Sequence, residues 1–275
     1  MNFIDGWASG DVLANGLRLH YYRSGGNGRP VVLAHGITDS GQCWPRLASA
    51  LAPAYDLVAY DARGHGHSET PPGPYTSLDQ AEDLFALVEE LGLRRPVAIG
   101  HSMGAQTVSL VAARHTGLLA GAVLEDPPWR DVPAAPGGGP GEYRRRLREY
   151  RALTVEALVA YGRAHRTGWA EEELCPWAQA KHRCSAEALE NMVPGGPDWR
   201  AVAAGIECPT LLLTGDPNVQ AMAGLGAIVT PAVAELACQL SSHIQVVQVA
   251  GAGHNIRREA FDAYRAAVLG FLHTL

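Results

Sequence analysis

Three observations predict an α/β fold with a mostly parallel, helix-covered sheet. Short apolar runs alternate with helical segments through residues 30–124, and again through residues 210–273. Such alternation implies βαβ units, whose connections cover both sheet faces with helices. Between 127 and 208 the alternation stops, and helical stretches rich in Arg, Glu, Tyr and Trp take over. This insert reads as a helical cap, so the predicted domains are a core of residues 1–126 and 209–275 and a cap of residues 127–208. Thirdly, Gly100-His101-Ser102-Met103-Gly104 sits between an apolar run and a helical segment, where a sharp strand-to-helix turn would expose the serine.

Taken in order, residues 12–14 and 17–22 form a plausible hairpin about Asn15-Gly16. Residues 30–34 are an unalternated apolar run, as expected of a strand buried on both faces. A helix is expected over 42–52 and a strand over 56–60. Residues 77–92 carry Leu78, Ala81, Leu84, Phe85, Val88 and Leu91 at helical spacing and end at Gly92. The strand before Ser102, the helix after it and a strand over 120–124 complete the first half. A Pro/Gly loop is expected over 133–141. After the insert come a strand over 210–214, a helix near 231–241, a strand over 244–249 and a final helix over about 258–273.

Composition narrows the class. Hydrophobic residues make up 47% of 275 residues and charged residues 18%, an ordinary globular balance. A net charge of −6 argues against nucleic acid or anionic membrane as a partner. No apolar stretch reaches the length of a membrane span. The first residues lack the basic and apolar regions of a signal peptide. The five cysteines include no C-x-x-C pair, which predicts reduced thiols and a cytoplasmic location.

A serine hydroxyl is a weak nucleophile until a base takes its proton, and that base is usually histidine oriented by a third group. Ser102 is the candidate nucleophile. His254 is the candidate base, because it follows the last strand in Ala250-Gly251-Ala252-Gly253-His254 and so reaches the same sheet edge. The oxyanion needs donors. The backbone N–H groups of Met103 and of Ile37, in His35-Gly36-Ile37-Thr38-Asp39, are the candidates. His35 is expected to brace that loop. Trp129 is expected to face the pocket from the sheet–cap hinge, with Trp44 as a second pocket residue. The Arg144-Arg145-Arg146 run, with Arg148 and Arg151, is expected to be a solvated helix face. Asp61, His65 and His67 could suggest a metal, but the chain continues Ser68-Glu69-Thr70 rather than with an Asp-His pair. No metal is expected, and Arg63 is expected to fix that loop.

His35-Gly36, Asp61-Ala62-Arg63-Gly64-His65-Gly66-His67-Ser68, Gly100-His101-Ser102-Met103-Gly104 and Gly251-Ala252-Gly253-His254, in this order and spacing, resemble the α/β-hydrolase superfamily across essentially the whole chain. The resemblance implies a cap, no cofactor, and hydrolysis of esters, lactones or amides. Serine at the nucleophile position departs from the members that use aspartate there. The resemblance also frames the choice of acid. Most such hydrolases carry it in a G-x-x-D motif after the strand at 210–214, where this chain reads Gly215-Asp216-Pro217-Asn218. An amide at Asn218 cannot serve. Some members, including certain dehalogenases and the zearalenone-type lactonases, carry the acid at the preceding strand's end, which here is Asp126. Asp216 and Glu125 remain alternatives, and adjacent strand residues point to opposite faces, so only one of Glu125 and Asp126 can reach the histidine.

The expected function is cleavage of a carboxylic ester or lactone through an acyl-enzyme, on a mid-sized apolar or cyclic small molecule. Two other readings stand beside it. One is a ligand-binding protein on a hydrolase scaffold. The other is C–C hydrolysis, acyl transfer or a lyase reaction on the same residues.

Overall fold

The computed structural model describes residues 6–131, 140–166, 168–193, 196–219 and 226–275. Most of the expected Pro/Gly loop at 133–141 lies outside them. Strands β1 (Ala8–Ala14) and β2 (Leu17–Arg23) pair antiparallel about a turn in which Asn15 and Gly16 both take positive φ, 48° and 77°. That turn matches the twist of a two-stranded ribbon, which is why the Asn-Gly pair marks it. Next come β3 (Pro30–Ala34), helix α1 (Pro45–Leu51), β4 (Asp56–Tyr60), α2 (Ser77–Glu90), β5 (Val97–His101), α3 (Met103–Arg114) and β6 (Gly121–Glu125). Helix α1 starts later than the expected 42 because Pro45 occupies its first turn, where a missing N–H costs nothing. Thr76 and Asp79 form a capping box that fixes the start of α2.

Among the described residues, five helices then separate β6 from the next strand: α4 (Pro140–Arg151), α5 (Val155–His165), α6 (Glu171–Arg183), α7 (Ala186–Asn191) and α8 (Trp199–Ala204). The chain closes with β7 (Thr210–Thr214), α9 (Pro231–Leu240), β8 (Ile244–Gln248), α10 (Ile256–Glu259) and α11 (Phe261–Leu272). The expected final helix is thus two pieces. They part at Ala260, whose φ of −141° is not helical. The short first piece carries Arg257 and Arg258 into the interior, where both are buried.

The eight strands of the described residues run in the order β1-β2-β4-β3-β5-β6-β7-β8. From β4 to β8 every neighbouring pair is parallel, while β2 joins β1 and β4 antiparallel. Alternation along each central strand divides the core. In β3, Val32 and Ala34 join the layer with Leu84, Val108 and Val202, whereas Val31 and Leu33 join the layer with Leu47, Phe261 and Val268. The strand order reverses at β3, with β4 on one side and β5 on the other. Ligands of open α/β sheets bind in the crevice beyond the carboxyl ends of the strands at such a point.

Helices α4 to α6 cover that crevice. They form small cores of their own, one around Leu158, Trp177 and Ala178 and another, with α7, around Leu147, Cys184 and Leu189. Helix α8 differs: Trp199, Val202 and Ala203 pack into the main core beside α3 and α9. Among the described residues no helix is long and apolar enough to cross a membrane.

Candidate active site

Ser102 stands between β5 and α3 with φ 51° and ψ −113°, a conformation that L-residues rarely adopt. Its N–H donates to the Glu125 carbonyl (2.9 Å), and its own carbonyl accepts from the Gln106 amide (3.0 Å). The two motif glycines make room for this turn. A Cβ on Gly104 would lie 2.0 Å from the Ala34 carbonyl oxygen, and one on Gly100 would lie 2.3 Å from the Gly104 oxygen. Only glycine lets α3 start this close to β3. Ser102 is buried, and together with His254 it lines a cavity of about 90 Å³.

His254 donates through Nδ1 to Asp126 Oδ2 at 2.6 Å. That leaves Nε2 as the acceptor of the neutral ring. Asp126 directly follows β6, takes φ 45° and is fully buried. Its oxygens also accept from the amides of Ile228 (2.8 Å to Oδ2) and Val229 (3.0 Å to Oδ1), so the carboxylate is held on several sides. The other two candidate acids are engaged elsewhere. Asp216 accepts from the Asn218 amide at 2.8 Å and shapes its own turn. Glu125 faces the other way and accepts from the Arg257 amide (2.9 Å) and guanidinium (3.3 Å). Burial pushes the Glu125 carboxyl up, with Arg257 opposing.

Two buried histidines brace the loop that carries Ile37, one of the two candidate oxyanion donors. His35 Nε2 accepts from the Ala62 amide (3.0 Å), so Nδ1 carries the proton it gives to the Gly36 carbonyl (2.8 Å). His65 Nε2 accepts from the Thr38 amide (3.3 Å), and Nδ1–H bonds the Arg63 carbonyl (2.8 Å). Burial keeps both rings neutral, lowering His35 to about 3 and His65 to about 4. Thr38 takes φ 63°, and Ile37 lines the cavity beside Ser102. Met103 is the first residue of α3, so its N–H has no intrahelical acceptor, and the helix N-terminus adds positive potential there. His101 donates through Nε2 to the His254 carbonyl at 3.1 Å and so ties the two motifs together.

The loop at Asp61 turns inward for structural reasons. Asp61 accepts from the amides of Gly41 (2.7 Å) and His67 (2.9 Å), and Arg63 makes a fork with Asp83 on α2. Among the described residues no group of His, Cys, Asp or Glu is placed to hold a metal ion.

Two pocket expectations are corrected. Trp129 is fully buried and stacks on Trp199 at 5.6 Å in the main core, while Trp44 is buried under the Arg257 guanidinium at 4.4 Å. Neither lines the cavity. The aromatic wall comes instead from Tyr143, Tyr150, Trp169 and Trp177 on the insert. The arginine run is corrected at one position: Arg146 lines the cavity, whereas Arg145 is exposed and pairs with Glu142.

A buried charge network beneath the cavity had no marker in the sequence. Asp39 pairs with Lys181 (2.8 Å), Arg257 (3.2 Å) and Arg258 (3.1 Å). Arg258 also pairs with Glu173 at 3.1 Å. Burial alone would raise the Asp39 carboxyl, but Arg258, Lys181 and Arg257 overcome this and hold it well below the usual carboxylate range. These groups come from three distant segments, the loop at Asp39, α6 and α10, so no local spacing announces them.

Comparison with known proteins agrees with this fold. The family model described as alpha/beta hydrolase fold matches residues 29–257. The chain belongs to the α/β-hydrolase family. This α/β-hydrolase is 33% identical to the N-formylmaleamate deformylase of Pseudomonas putida KT2440, over 96% of each chain. The crystal structure of an N-formylmaleamic acid deformylase from Pseudomonas putida S16 superposes with a TM-score of 0.77 at 25% identity, covering 95% of this chain and 100% of that one. An enol-lactonase from Burkholderia xenovorans LB400 superposes with a TM-score of 0.72 at 26% identity, covering 96% of this α/β-hydrolase and 100% of its own chain. Hydrolase is therefore the class of this enzyme.

Proposed function

We propose that this α/β-hydrolase cleaves an acyl bond of a small carboxylic-acid derivative, an ester, lactone or amide, through an acyl-enzyme on Ser102. The observation that carries this reading is the 2.6 Å bond from His254 Nδ1 to Asp126, with His254 and Ser102 both lining one cavity. His254 Nε2 takes the Ser102 proton as Oγ attacks the carbonyl carbon. The Ile37 and Met103 amides hold the oxyanion, and Asp126 stabilises the imidazolium. The imidazolium then gives its proton to the leaving oxygen or nitrogen as that bond breaks. Water, deprotonated by His254, releases the acid and restores Ser102. Every step uses groups of the chain and water.

Helices α4 to α7 act in this reading as the cap that encloses the site. The cavity's small volume and charged wall favour a compact polar substrate over the mid-sized apolar one expected from composition. The amide bond enters on the likeness to the deformylases, and the lactone on the likeness to the enol-lactonase. Free cysteines throughout, with Cys175 and Cys238 exposed, favour a cytoplasmic site of action.

The test is labelling with a neutral fluorophosphonate followed by intact mass, then hydrolysis of a panel of small esters, lactones and N-formyl amides. Single labelling that disappears in Ser102→Ala and slows in Asp126→Asn is the expected result. Absence of labelling in the folded wild type would overturn the reading in favour of a ligand-binding protein.

A further inference from the structure

The cavity that Ser102 and His254 line carries more cationic donors than its anions use. Lys181 is fully engaged: its ammonium bonds the Thr38 carbonyl (2.9 Å), the Thr38 hydroxyl (3.0 Å) and Asp39 (2.8 Å). Arg258 is engaged on two sides only. Its Nε pairs with Glu173 and its Nη1 with Asp39, while Nη2 is buried with no protein acceptor. Arg166 is less engaged still. Its Nη2 donates to the Tyr150 hydroxyl at 3.1 Å, its Nε is buried without an acceptor, and among the described residues no carboxylate pairs with it.

Both guanidiniums lie against Trp169, Arg166 at 4.9 Å and Arg258 at 4.5 Å from the ring centre, and Arg166 also lies 4.8 Å from Trp177. Both line the cavity that holds Ser102 and His254. Arg257 Nε also lacks an acceptor, but it faces Trp44 away from the cavity wall. Of the remaining charged groups on the wall, Arg146 bonds Glu142 at 2.7 Å, Asp39 is saturated by its three cations, and burial keeps His101 neutral.

A buried guanidinium with unmet N–H groups is costly unless something supplies an acceptor. A carboxylate supplies two coplanar oxygens that match the guanidinium fork. The aromatic rings fix the guanidinium planes, so the donors are pre-arranged rather than gathered on binding. We propose that Arg166 and Arg258 form a carboxylate-binding subsite, and that the substrate carries a free carboxylate at one end and the scissile acyl group at the other. Naming the bearer of the carboxylate as substrate rests on the acyl-hydrolase reading; the anion site itself does not.

The experiment is therefore binding without turnover. Wild-type protein and Arg166→Gln are titrated calorimetrically with succinate and with its neutral counterpart succinamide, with thermal melts to confirm folding. Succinate should bind wild type about tenfold or more tightly than succinamide, and Arg166→Gln should lose about tenfold of that affinity, the scale of a charge-assisted hydrogen bond. Equal binding of the two ligands, no binding of succinate, or full affinity in Arg166→Gln would each overturn the proposal. If the variant does not fold, the wild-type discrimination decides. Succinate binding in a protein whose Ser102 does not react with fluorophosphonate would keep the subsite and discard the hydrolase reading. Labelling without succinate binding would do the reverse.

Discussion

Asp126 shows how much one residue can be asked to do. It holds His254 at 2.6 Å and two backbone amides besides, from a left-handed backbone conformation. In Asp126→Asn the amide oxygen can still serve Ile228 and Val229, but the nitrogen then faces His254 Nδ1. The ring must switch tautomer, and Nε2 becomes a donor that cannot take the Ser102 proton. Turnover should fall by about 10³- to 10⁴-fold with the fold intact, the scale seen when a triad acid becomes an amide. Asp216→Asn keeps an oxygen for the Asn218 amide and should change turnover by no more than about twofold, as surface turn substitutions do. Steady-state rates on the best panel substrate test both, and a comparable loss in the two variants would sink the assignment. Ser102 and His254 were legible because a short motif and its neighbouring strands fix their place. Asp126 was legible only as one of three carboxylates, since the choice depends on which face of β6 each one leaves. Arg166 and Arg258 were not legible, because nothing local separates a guanidinium aimed at a cavity from one aimed at water.

Among the elements, α6 links the insert to the oxyanion loop. Lys181 reaches from its last turn to Thr38 and Asp39, directly after Ile37. Lys181→Met keeps most of the stem but leaves Asp39 short of a cation and the Thr38 carbonyl short of a donor. Breaking a buried pair from one side costs about 3–5 kcal/mol, and Arg257 and Arg258 still face Asp39, so a loss of about 3 kcal/mol is expected by urea denaturation. Because the loop carries the Ile37 amide, kcat should fall about tenfold, while KM changes less. Unchanged stability and kcat would show that α6 merely lies over the loop. Elements with their own punctuation were readable: the Asn15-Gly16 hairpin, the capped α2 and the unalternated central strands. The break between α10 and α11 was not, because Ala260 is a good helix former and the kink answers to Arg257 and Arg258 reaching buried carboxylates.

Taken whole, the molecule is a sheet whose carboxyl edge is closed by an insert tied down at several separate points. Lys181 holds the oxyanion loop, Glu173 holds Arg258, and the Ser185 amide bonds the Gly64 carbonyl at 2.8 Å. The loops beneath are braced by neutral histidines, and this has a cost at low pH. In the unfolded chain His35 and His65 take up protons near pH 6.5; in the folded chain they do so only near 3 and 4. The unfolded state therefore binds more protons throughout that interval, and stability must fall as the pH drops from 6.5 toward 4. Glu125 works the other way, since burial raises its carboxyl above 4.5 and the folded state protonates it first. Asp39, held low, adds a loss only below 3.8. Burial lowers His67 and His101 as well, and it raises Asp61 and Asp83 as it does Glu125. Those two aspartates start from 3.8, below the interval in which the histidines act, so the net change from 6.5 downward is a decline. Each histidine contributes a slope of about 1.4 kcal/mol per pH unit while the unfolded form is protonated and the folded form is not. His65→Gln can still accept from the Thr38 amide through its side-chain oxygen but cannot titrate. Urea midpoints of wild type at pH 7.5, 6 and 5 should fall progressively, and the variant's should fall less, by about 1.4 kcal/mol per pH unit in the acid range. A wild-type midpoint that held steady or rose on acidification would mean that these rings are already charged in the folded protein, and the hydrogen bonds that make them acceptors for Ala62 and Thr38 would have to be redrawn.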